Sequence, residues 1–422
     1  MLATLGLSAA CGSDPAPDLP NARQLISLSS LSTWESEAWL AASPEGRVLV
    51  AAWTGRDTVG DWSLGGPIGY TFSSDGGATW KPPAAMAFPD RETPFNVKVA
   101  ADARGDFWAV WLARSMLGPK DAIVVARSRP DALSFEAPIE VTSPTSTGDY
   151  DLPAIVSHRG AVLAAYTVFH ESCMATEVAR SMDGLTWTRA TAGPCEPATP
   201  VRNLNAICAS ETSDRVWLAN AAGDPDGDSA SPLRVELRHS DDHGLTWPAS
   251  SLQIISAPGQ RVAFDPIVCT MQGDDLWIAY GLTDGAIQPG LFAKLTSIQV
   301  VRVAPAGTVT RFEVPNPSGA FAMHPQITSD ATGTVHVLSH VGARDDDPAG
   351  ALRSTHLPQG ASQFEAGRSL DGPMRFNEQW GEEGFLGDYY GVATAGGSIM
   401  AAYGFGAGTD IHIAFQKWSA MP

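Results

Sequence analysis

Charged residues are scarce in this 422-residue chain, and basic residues are the scarcer kind. Asp, Glu, Lys and Arg make up 17% of the sequence, and 46 acidic residues outnumber 27 basic ones, for a formal net charge of −19. A surface of this sign repels nucleic acid and anionic lipid, so neither is expected as a partner. The acidity itself has two explanations, solubility and cation binding.

Motifs for phosphate and metal chemistry are also missing. No Gly-rich phosphate loop and no G-x-S-x-G nucleophile elbow occurs. Residues 224–228 alternate acids as calcium loops do, but they lack the Gly and Glu of an EF-hand. No metal-ligand spacing occurs among five of the nine histidines, His158, His239, His243, His340 and His356. The sequence therefore requires no cofactor and predicts no metal centre, while a structural Ca²⁺ ion stays open.

A long apolar run is missing beyond the N-terminus, so no segment is predicted to span a bilayer. In residues 1–11, small residues precede Cys11, and a polar, Pro-rich stretch follows it. This segment resembles the end of a bacterial lipoprotein signal. The resemblance implies lipidation of Cys11 and export to the bacterial envelope or surface, with the lipid as the only membrane attachment. Residues 1–20 are accordingly assigned to a leader and tether, and residues 21–422 to the folded domain.

Glycine (41) and proline (31) are plentiful, as in proteins of many short strands and turns. Short runs of small apolar residues recur 54 to 64 positions apart, most of them ending in an aromatic side chain. The seven runs end at Trp53, Trp111, Tyr166, Asn220, Tyr280, Ser339 and Tyr403. A repeat of this length fits four strands, named A to D, in one propeller blade. The prediction is an all-β fold with one propeller of seven four-stranded blades, each run being strand B.

Two details of this propeller remain to be decided by structure. The sixth unit matches the repeat least well, so six blades is the alternative. The last unit has no room for its fourth strand, and residues 22–29 are expected to supply that strand from the N-terminus. Ring closure of this kind removes open sheet edges.

One turn motif recurs between strands C and D. The pattern S-x-D-x-G-x-T-W occurs at residues 73–80 and 240–247, with a shorter copy at 181–187 and a degenerate one at 128–135. Asp can bond backbone N–H groups two residues on, Gly takes a positive φ, and Trp buries a large flat surface. The three clear copies are termed the Ser–Asp turns. With them the chain resembles the Asp-box (BNR-repeat) β-propellers, which include the bacterial sialidases.

The resemblance implies an active site on the face of the B–C and D–A loops, opposite the Ser–Asp turns. The acids of those turns, Asp75, Asp183 and Asp242, are then structural. Sialidases of this kind bind a sugar carboxylate with three arginines, pair a nucleophilic Tyr with Glu, and use an Asp as acid/base. The implied counterparts here are Arg91, Arg202 and Arg261 for substrate and Asp388, Tyr389 and Tyr390 for catalysis. The family's Arg-Ile-Pro signature is absent, and its sialidases have six blades rather than seven.

A polar position also recurs at the start of strand A. Counting back 15 residues from the end of each B run finds Ala38, Asn96, Asp151, Asn205, Asp265, His324 and Asp388. One interpretation is a polar ring around the channel that binds a cation or sugar hydroxyls, with Asp151 and Asp265 as further catalytic acids and Asn96, Asn205 and His324 as substrate ligands. The other is that these residues cap the incoming turns. Both stay open.

Besides Cys11 the chain has four cysteines, an even number that suits an oxidising compartment. Cys173 falls in the B–C loop and Cys195 in the D–A loop of the third unit, so a bridge between them is predicted. Cys208 and Cys269 fall at matching positions in strand A of adjacent units. They could bridge, but buried free thiols are the expectation.

These observations favour an exported, surface-anchored, sialidase-like glycan-active protein, a possible exo-sialidase or other glycoside hydrolase, with its site at the channel mouth. The alternative is a non-catalytic propeller that binds a glycan or a cell-surface protein. A monomer is expected in either case. An enzyme needs an acid/base pair with displaced pKa values in a funnel, whereas a binding module needs only an exposed platform.

Overall fold

A computed structural model describes residues 23–27, 34–56, 66–86, 93–114, 121–129, 131, 133–142, 149–224, 233–283, 295–317, 320–342, 349–375, 387, 389–407 and 410–419. Over these residues the chain forms 28 β-strands and a single three-residue 3₁₀ turn, Ala249–Ser251. No helix in this part of the chain has the length and apolarity needed to cross a bilayer. The expected leader, tether and Cys11 lie outside the described residues.

The 28 strands form seven blades of four, and the short first strand, β1 (Gln24–Leu25), belongs to the last of these blades. The first four blades consist of β2 (Trp34–Ala42), β3 (Leu49–Arg56), β4 (Ile68–Ser73) and β5 (Ala84–Met86); β6 (Thr93–Ala101), β7 (Phe107–Arg114), β8 (Ala122–Ser128) and β9 (Ile139–Glu140); β10 (Tyr150–His158), β11 (Ala161–Phe169), β12 (Met174–Ser181) and β13 (Thr188–Gly193); and β14 (Val201–Ala209), β15 (Val216–Gly223), β16 (Arg234–Ser240) and β17 (Gln253–Ile254).

The last three blades consist of β18 (Val268–Gln272), β19 (Asp275–Leu282), β20 (Ser297–Val303) and β21 (Val309–Val314); β22 (Phe321–Ser329), β23 (Val335–Gly342), β24 (Ala349–Leu357) and β25 (Arg368–Arg375); and β26 (Gly391–Ala395), β27 (Ser398–Ala407) and β28 (Asp410–Ser419). Within each blade successive strands pair antiparallel. The prediction of a seven-bladed all-β propeller is confirmed, and the six-bladed alternative is wrong.

The ring is joined between its first and last blades. Strand β1 pairs antiparallel with β28, with Gln24 opposite Phe415, so it is the fourth strand of blade seven. Strand β2 meets β28 in parallel at Trp34 and Ile411, which unites blades one and seven in one eight-stranded sheet. These contacts cover the outer edge of β28, which would otherwise be open to edge-to-edge association.

The second strand of each blade lies in the core. In β3 the run from Leu49 to Trp53 has no exposed surface, and the run from Leu163 to Tyr166 in β11 has none either. These are the Ala-rich runs of the sequence repeat. Small side chains here allow adjacent blades to pack face to face at close distance, and the aromatic residue at the end fills the wider space farther along the strand.

The first strand of most blades carries a β-bulge near its start. The register shifts in β2, β6, β10, β14 and β22, and one residue of each bulge has positive φ. These residues are Glu37, Asn96, Leu152, Leu204 and His324. A bulge of this kind bends the strand and redirects a side chain. The equivalence drawn from a constant count of 15 is therefore wrong by one residue in blades one, three and four, where it selected Ala38, Asp151 and Asn205.

The Ser–Asp turns are held by side-chain hydrogen bonds to their own backbone. Ser73 Oγ accepts a bond from Gly77 N at 2.8 Å, and Asp75 accepts bonds from Thr79 N and Oγ1 at 2.8 and 2.6 Å. A Cβ atom on Gly77 would collide with Phe415 of blade seven, and φ is +89° there, so the position needs glycine. Each turn therefore also packs its blade against a neighbour.

Two disulfides are present. Cys173 and Cys195 are bridged within blade three, with Cα atoms 5.4 Å apart, so that prediction is confirmed. Cys208 and Cys269 are also bridged, with Cα atoms 6.2 Å apart, and the expectation of free thiols is wrong. Matching positions on the inner strands of adjacent blades are close enough for a disulfide to form.

Candidate functional site

The inner strands enclose an axial channel with a cavity of about 170 Å³. Residues from all seven A strands line it, among them Trp39, Lys98, Asn205, Ile267 and Gln326. Its mouth is the end at which the A strands begin, on the face of the B–C and D–A loops. Most of the segments outside the described residues belong to those loops. The site is therefore built here from the strand ends alone.

Trp39 and Lys98 lie in the channel two residues past the bulges of their blades. The Lys98 ammonium is 5.1 Å from the centroid of the Trp39 ring and 5.2 Å from that of Tyr389. The two rings meet edge to face, 5.5 Å apart. Trp39 and Lys98 are partly exposed, whereas Tyr389 is buried. A cation between two aromatic rings is thus presented toward the cavity, stabilised by cation–π attraction.

Two carboxyl groups at the mouth are linked through Asn96. Glu37 Oε2 accepts hydrogen bonds from Thr54 Oγ1 at 2.9 Å and from Asn96 N at 3.3 Å. The Asn96 side-chain amide donates to Asp151 Oδ1 at 2.8 Å. Tyr389 OH donates to Asn96 Oδ1 at 3.5 Å. The network crosses blades one, two, three and seven, and it holds both carboxyls at the start of the A strands.

Asp151 is the acid of this network whose pKa is displaced upward. Burial raises the pKa, and a hydrogen bond from Leu152 N and the charge of Arg114 act in the opposite direction without cancelling it. Arg114 itself pairs with Asp121, with Nε 3.1 Å from Oδ2. A carboxyl group whose pKa is raised by burial can retain a proton and donate it, which is the property of a general acid.

A second polar group lies between blades five, six and seven. It consists of Asp265, His324, His340 and Tyr390, termed here the buried His–Tyr cluster, and all four are buried. Asp265 Oδ2 accepts a bond from His324 N at 3.1 Å, and Oδ1 is 3.7 Å from His324 Nε2. The His340 ring is 4.7 Å from the Tyr390 ring.

Burial sets the charge state of the buried His–Tyr cluster. It raises the pKa of Asp265 well above its usual range and lowers that of His340 to about 4. It lowers the pKa of His324 as well, with the neighbouring His340 adding to the effect. Burial, and then the charge of Asp265, raises the pKa of Tyr390. Neutral forms are therefore favoured throughout, which suits a packed interior better than catalysis in water.

Two residues predicted to bind substrate have structural contacts instead. Arg202 is fully buried in β14, where its Nε is 3.2 Å from Glu236 Oε2 and its Nη1 donates to Pro194 O after blade three, so its guanidinium is engaged inside the protein. Asn205 is also buried, and its amide donates to Leu152 O at 3.3 Å and to Thr167 Oγ1 at 2.9 Å. Both tie blade four to blade three. Their role is structural, as in the capping interpretation, but they join two blades and do not cap a turn.

The remaining predicted residues divide into four groups. Arg261 is exposed in the D–A loop before blade five, and its carbonyl accepts a bond from Thr283 N at 3.1 Å. Arg91 and Asp388 lie outside the described residues, as does most of the acidic segment after Asp224. Asn96, Asp151 and Tyr389 are brought together at the mouth, and Asp265, His324 and Tyr390 in the buried His–Tyr cluster.

Sequence reasoning missed Trp39, Lys98, Arg114 and His340. Trp39 and Lys98 stand at corresponding positions, each two residues after its bulge residue. That relation could have been found by counting back from the B runs with one residue of tolerance. Arg114 and His340 stand near the ends of B strands, and only the fold brings them close to the A strands of neighbouring blades.

No protein-family profile matches the chain, and no curated protein sequence matches it. Solved structures do match. A protein of unknown function from Dyadobacter fermentans DSM 18053 has a TM-score of 0.56 at 15% identity, over 94% of this chain and 98% of that one. A mutant of the NanB sialidase of Streptococcus pneumoniae has a TM-score of 0.53 at 13% identity, over 96% of this chain and 71% of that one.

The α-L-arabinofuranosidase Arb93A of Fusarium graminearum has a TM-score of 0.50 at 11% identity, over 77% of this chain and 93% of that one. The sialidase and the arabinofuranosidase are both glycoside hydrolases with propeller folds. At such low identity the likeness shows the fold alone. The chain therefore shares the β-propeller fold with these proteins.

Proposed function

We propose that this protein is an exported glycan-active propeller that takes the end of a carbohydrate chain at the channel mouth and acts there as a glycoside hydrolase. The observation that carries the proposal is the pair of carboxyls, Glu37 and Asp151, joined through Asn96. Glycoside hydrolysis requires one carboxyl that keeps a proton and a second that is ionised. Asp151, with its raised pKa, is assigned the proton donor, and Glu37 the base or nucleophile.

The channel cavity is lined by Trp39 and Lys98, which stand two residues along the A strands from Glu37 and Asn96, and not by Glu37 or Asp151 themselves. Its size supports action on a chain end. Its volume of about 170 Å³ is below the roughly 300–1,000 Å³ usual for pockets that enclose a drug-sized ligand. A terminal sugar fits such a space better than an internal segment of polymer. Solved propellers of similar fold are named as a sialidase and an arabinofuranosidase, so sialosides and arabinosides are the first substrates to try.

An acidic sugar is favoured over a neutral one. The three arginines implied by the sialidase resemblance are not available as a set, because Arg202 is buried against Glu236. Lys98 offers a cation in the channel instead, beside the Trp39 and Tyr389 rings. An ammonium and an aromatic face together suit a sugar carboxylate and the apolar side of its ring.

The test is hydrolysis of chromogenic sialosides and arabinosides by the wild type and by Asp151→Asn and Glu37→Gln. Loss of the proton donor should lower kcat by about 10²–10⁴-fold while sugar binding, followed by calorimetry, persists. Asp75→Asn on the opposite face serves as the matched control and should leave kcat unchanged. Turnover that survives both mouth variants would overturn the assignment of the carboxyls.

The alternative is a glycan-binding propeller without turnover, supported by the partly exposed Trp39 and Lys98. In that case a glycan array should show binding that Trp39→Ala abolishes and Asp151→Asn does not. Hydrolysis should then be absent from the wild type on every glycoside tried. Absence of both binding and hydrolysis would remove the glycan proposal altogether.

Export as a lipoprotein is part of the same proposal. Two disulfides support passage through an oxidising compartment. Cys11 is the proposed lipidation site, and mass spectrometry of the membrane-associated protein should find an acylated cysteine there. The proposed partner is a glycan or a cell-surface ligand, and the protein is proposed to act as a monomer.

The Ser–Asp turns are proposed to be Asp-box turns. Their Ser–Asp–Thr hydrogen bonds support this assignment, since the same set recurs at Asp75 and Asp242. On this proposal the turns have no part in chemistry and serve only to pack the blades.

A further inference from the structure

Three potential metal ligands converge on the face that carries the Ser–Asp turns. His158 ends β10 of blade three, Asp214 lies in the A–B turn of blade four, and His243 lies in the Ser–Asp turn of blade four. One donor atom from each lies within 4.8 Å of the others. The positions are 56 and 29 residues apart in sequence. The site therefore exists only through the packing of two blades, and it lies opposite the proposed glycan site.

His158 is prepared for a metal by its own surroundings. Only 5% of its surface is exposed. Its ring bonds the backbone of Ser213, while Nε2 has no hydrogen-bond partner within the part of the chain described. Metal-bound histidines usually donate one ring N–H to a carbonyl and use the other nitrogen as the ligand.

His243 occupies a position where a side chain is unfavourable. Its φ is +58°, and the matching position of the first Ser–Asp turn is Gly76, with φ of +67°. Its Nε2 is 3.3 Å from Asp214 Oδ1, and its ring is 5.3 Å from that of His158. Strain kept in a turn often marks a site with a role beyond the turn itself. The imidazole is thus held where it can bind the same metal ion as the other two residues.

We propose that His158, Asp214 and His243 bind a zinc-class transition metal ion, Zn²⁺ being the first choice. Two imidazoles and one carboxylate are a usual zinc ligand set, and water completes the tetrahedron. Ligand atoms at roughly 2.0–2.2 Å from a tetrahedral metal are roughly 3.3–3.6 Å apart. His243 Nε2 and Asp214 Oδ1 already have that separation, at 3.3 Å. Arg159, whose Nη1 is 2.7 Å from Asp214 Oδ1, has to yield part of that contact. The bound ion joins blade three to blade four.

The experiment is calorimetric titration of the tag-free full chain with ZnCl₂ alone, together with thermal melts and anomalous diffraction at the zinc edge. One ion per chain is expected, seated between the three side chains, with a higher melting temperature. CaCl₂, whose ion prefers oxygen ligands, should have no such effect. A wild type that does not bind zinc, or zinc density elsewhere on the protein, would overturn the proposal.

His243→Gly is the matched variant, because glycine already occupies the same place in the first Ser–Asp turn. It should fold at least as well as the wild type and lose about tenfold or more in zinc affinity. His170→Ala, an exposed histidine on the opposite face, should bind zinc as the wild type does. Undiminished binding in His243→Gly would refute the site even if His158→Ala failed to fold.

Discussion

Aspartates on the two faces of this propeller have opposite properties. On the turn face, hydrogen bonds from Thr79 and Ser73 lower the pKa of Asp75 to about 2, and bonds from Thr186, Leu185 and Ser181 do the same for Asp183. On the channel side, burial raises the pKa of Asp151 and of Asp265. The residue type is the same, but the number of donors around each carboxylate and its access to water differ.

This difference separates structural acids from candidate chemical ones. A carboxylate that accepts several donors in solvent stays ionised at any physiological pH and has no proton to transfer. A buried carboxyl with few donors can keep its proton near neutrality, as a general acid must. The motif with the strongest sequence signal is therefore the less reactive one, and the chemistry is assigned to the face whose pattern was weak.

Trp247→Ala should give the largest effect, if the turn face is purely structural. Trp247 is buried against Leu163, Ala165 and Leu218 of blades three and four. Its removal should lower the free energy of unfolding by about 3–5 kcal/mol, measured by urea titration. Leu245→Ala, an exposed neighbour in the same turn, is the control and should change little. Full stability in the Trp247 variant would mean that this ring is no wedge between blades.

Opening the Cys173–Cys195 bridge should have the next largest effect, and it acts on the channel side. The disulfide closes a loop whose ends are 22 residues apart, and the loop-entropy relation gives about 3 kcal/mol for its loss. The double alanine variant should show that loss in denaturant melts. Glycan binding should also weaken, because both loops border the mouth. A variant that lost stability but bound glycan normally would separate the bridge from the site.

Asp265→Asn tests the buried acid directly. The unfolded chain releases the Asp265 proton near pH 4, whereas the folded chain keeps it to a higher pH. The native state thus binds more protons in that window, so wild-type stability falls as pH rises through it. The variant should equal the wild type below pH 4 and be the more stable of the two at pH 7. Melts from pH 3 to 8 decide this, and a gap that widens toward low pH would contradict it.

Asp75→Asn should give the smallest effect, with the opposite sign. Its folded-state pKa of about 2 lies below the ordinary value of 3.8. The stabilisation is therefore complete above pH 4 and disappears as pH falls through 2. Because the group is exposed, the loss at pH 7 should stay below about 1 kcal/mol. Melts between pH 2 and 6 check the trend, with exposed Ser74→Ala as the control, and a difference that persisted at pH 2 would argue against ionised hydrogen bonding.

Much of the fold could be predicted because the repeat is local. Ala-rich runs such as 50–53 and 163–166 must be buried between blades, and their spacing gives the blade count. The Cys173–Cys195 bridge was predicted from loop placement in one blade. The candidate site was predicted only in part. A bulge in strand A inserts one residue, so a fixed count chose Ala38 where the structure places Glu37 at the mouth.

Arginine 202 shows the other limit. The sequence predicts Arg202 as a loop residue just before a polar position. In the structure it is buried in β14 beside Glu236 of β16. The neighbouring residues in sequence do not predict this partner, because strand pairing brings together two residues that are 34 positions apart. The expectation of free thiols at Cys208 and Cys269 was wrong for the same reason, since their bridge depends on the distance between two blades.

The sequence alone determined the all-β class, the seven-fold repeat and the chemistry of the Ser–Asp turns, because each depends on residues within one blade or one turn. Tertiary structure alone decided which acids have a raised pKa, which arginine is buried, and that His158, Asp214 and His243 meet. Those properties depend on burial and on distances between blades. Desolvation and long-range contacts depend on the closed ring, so no local sequence pattern predicts them.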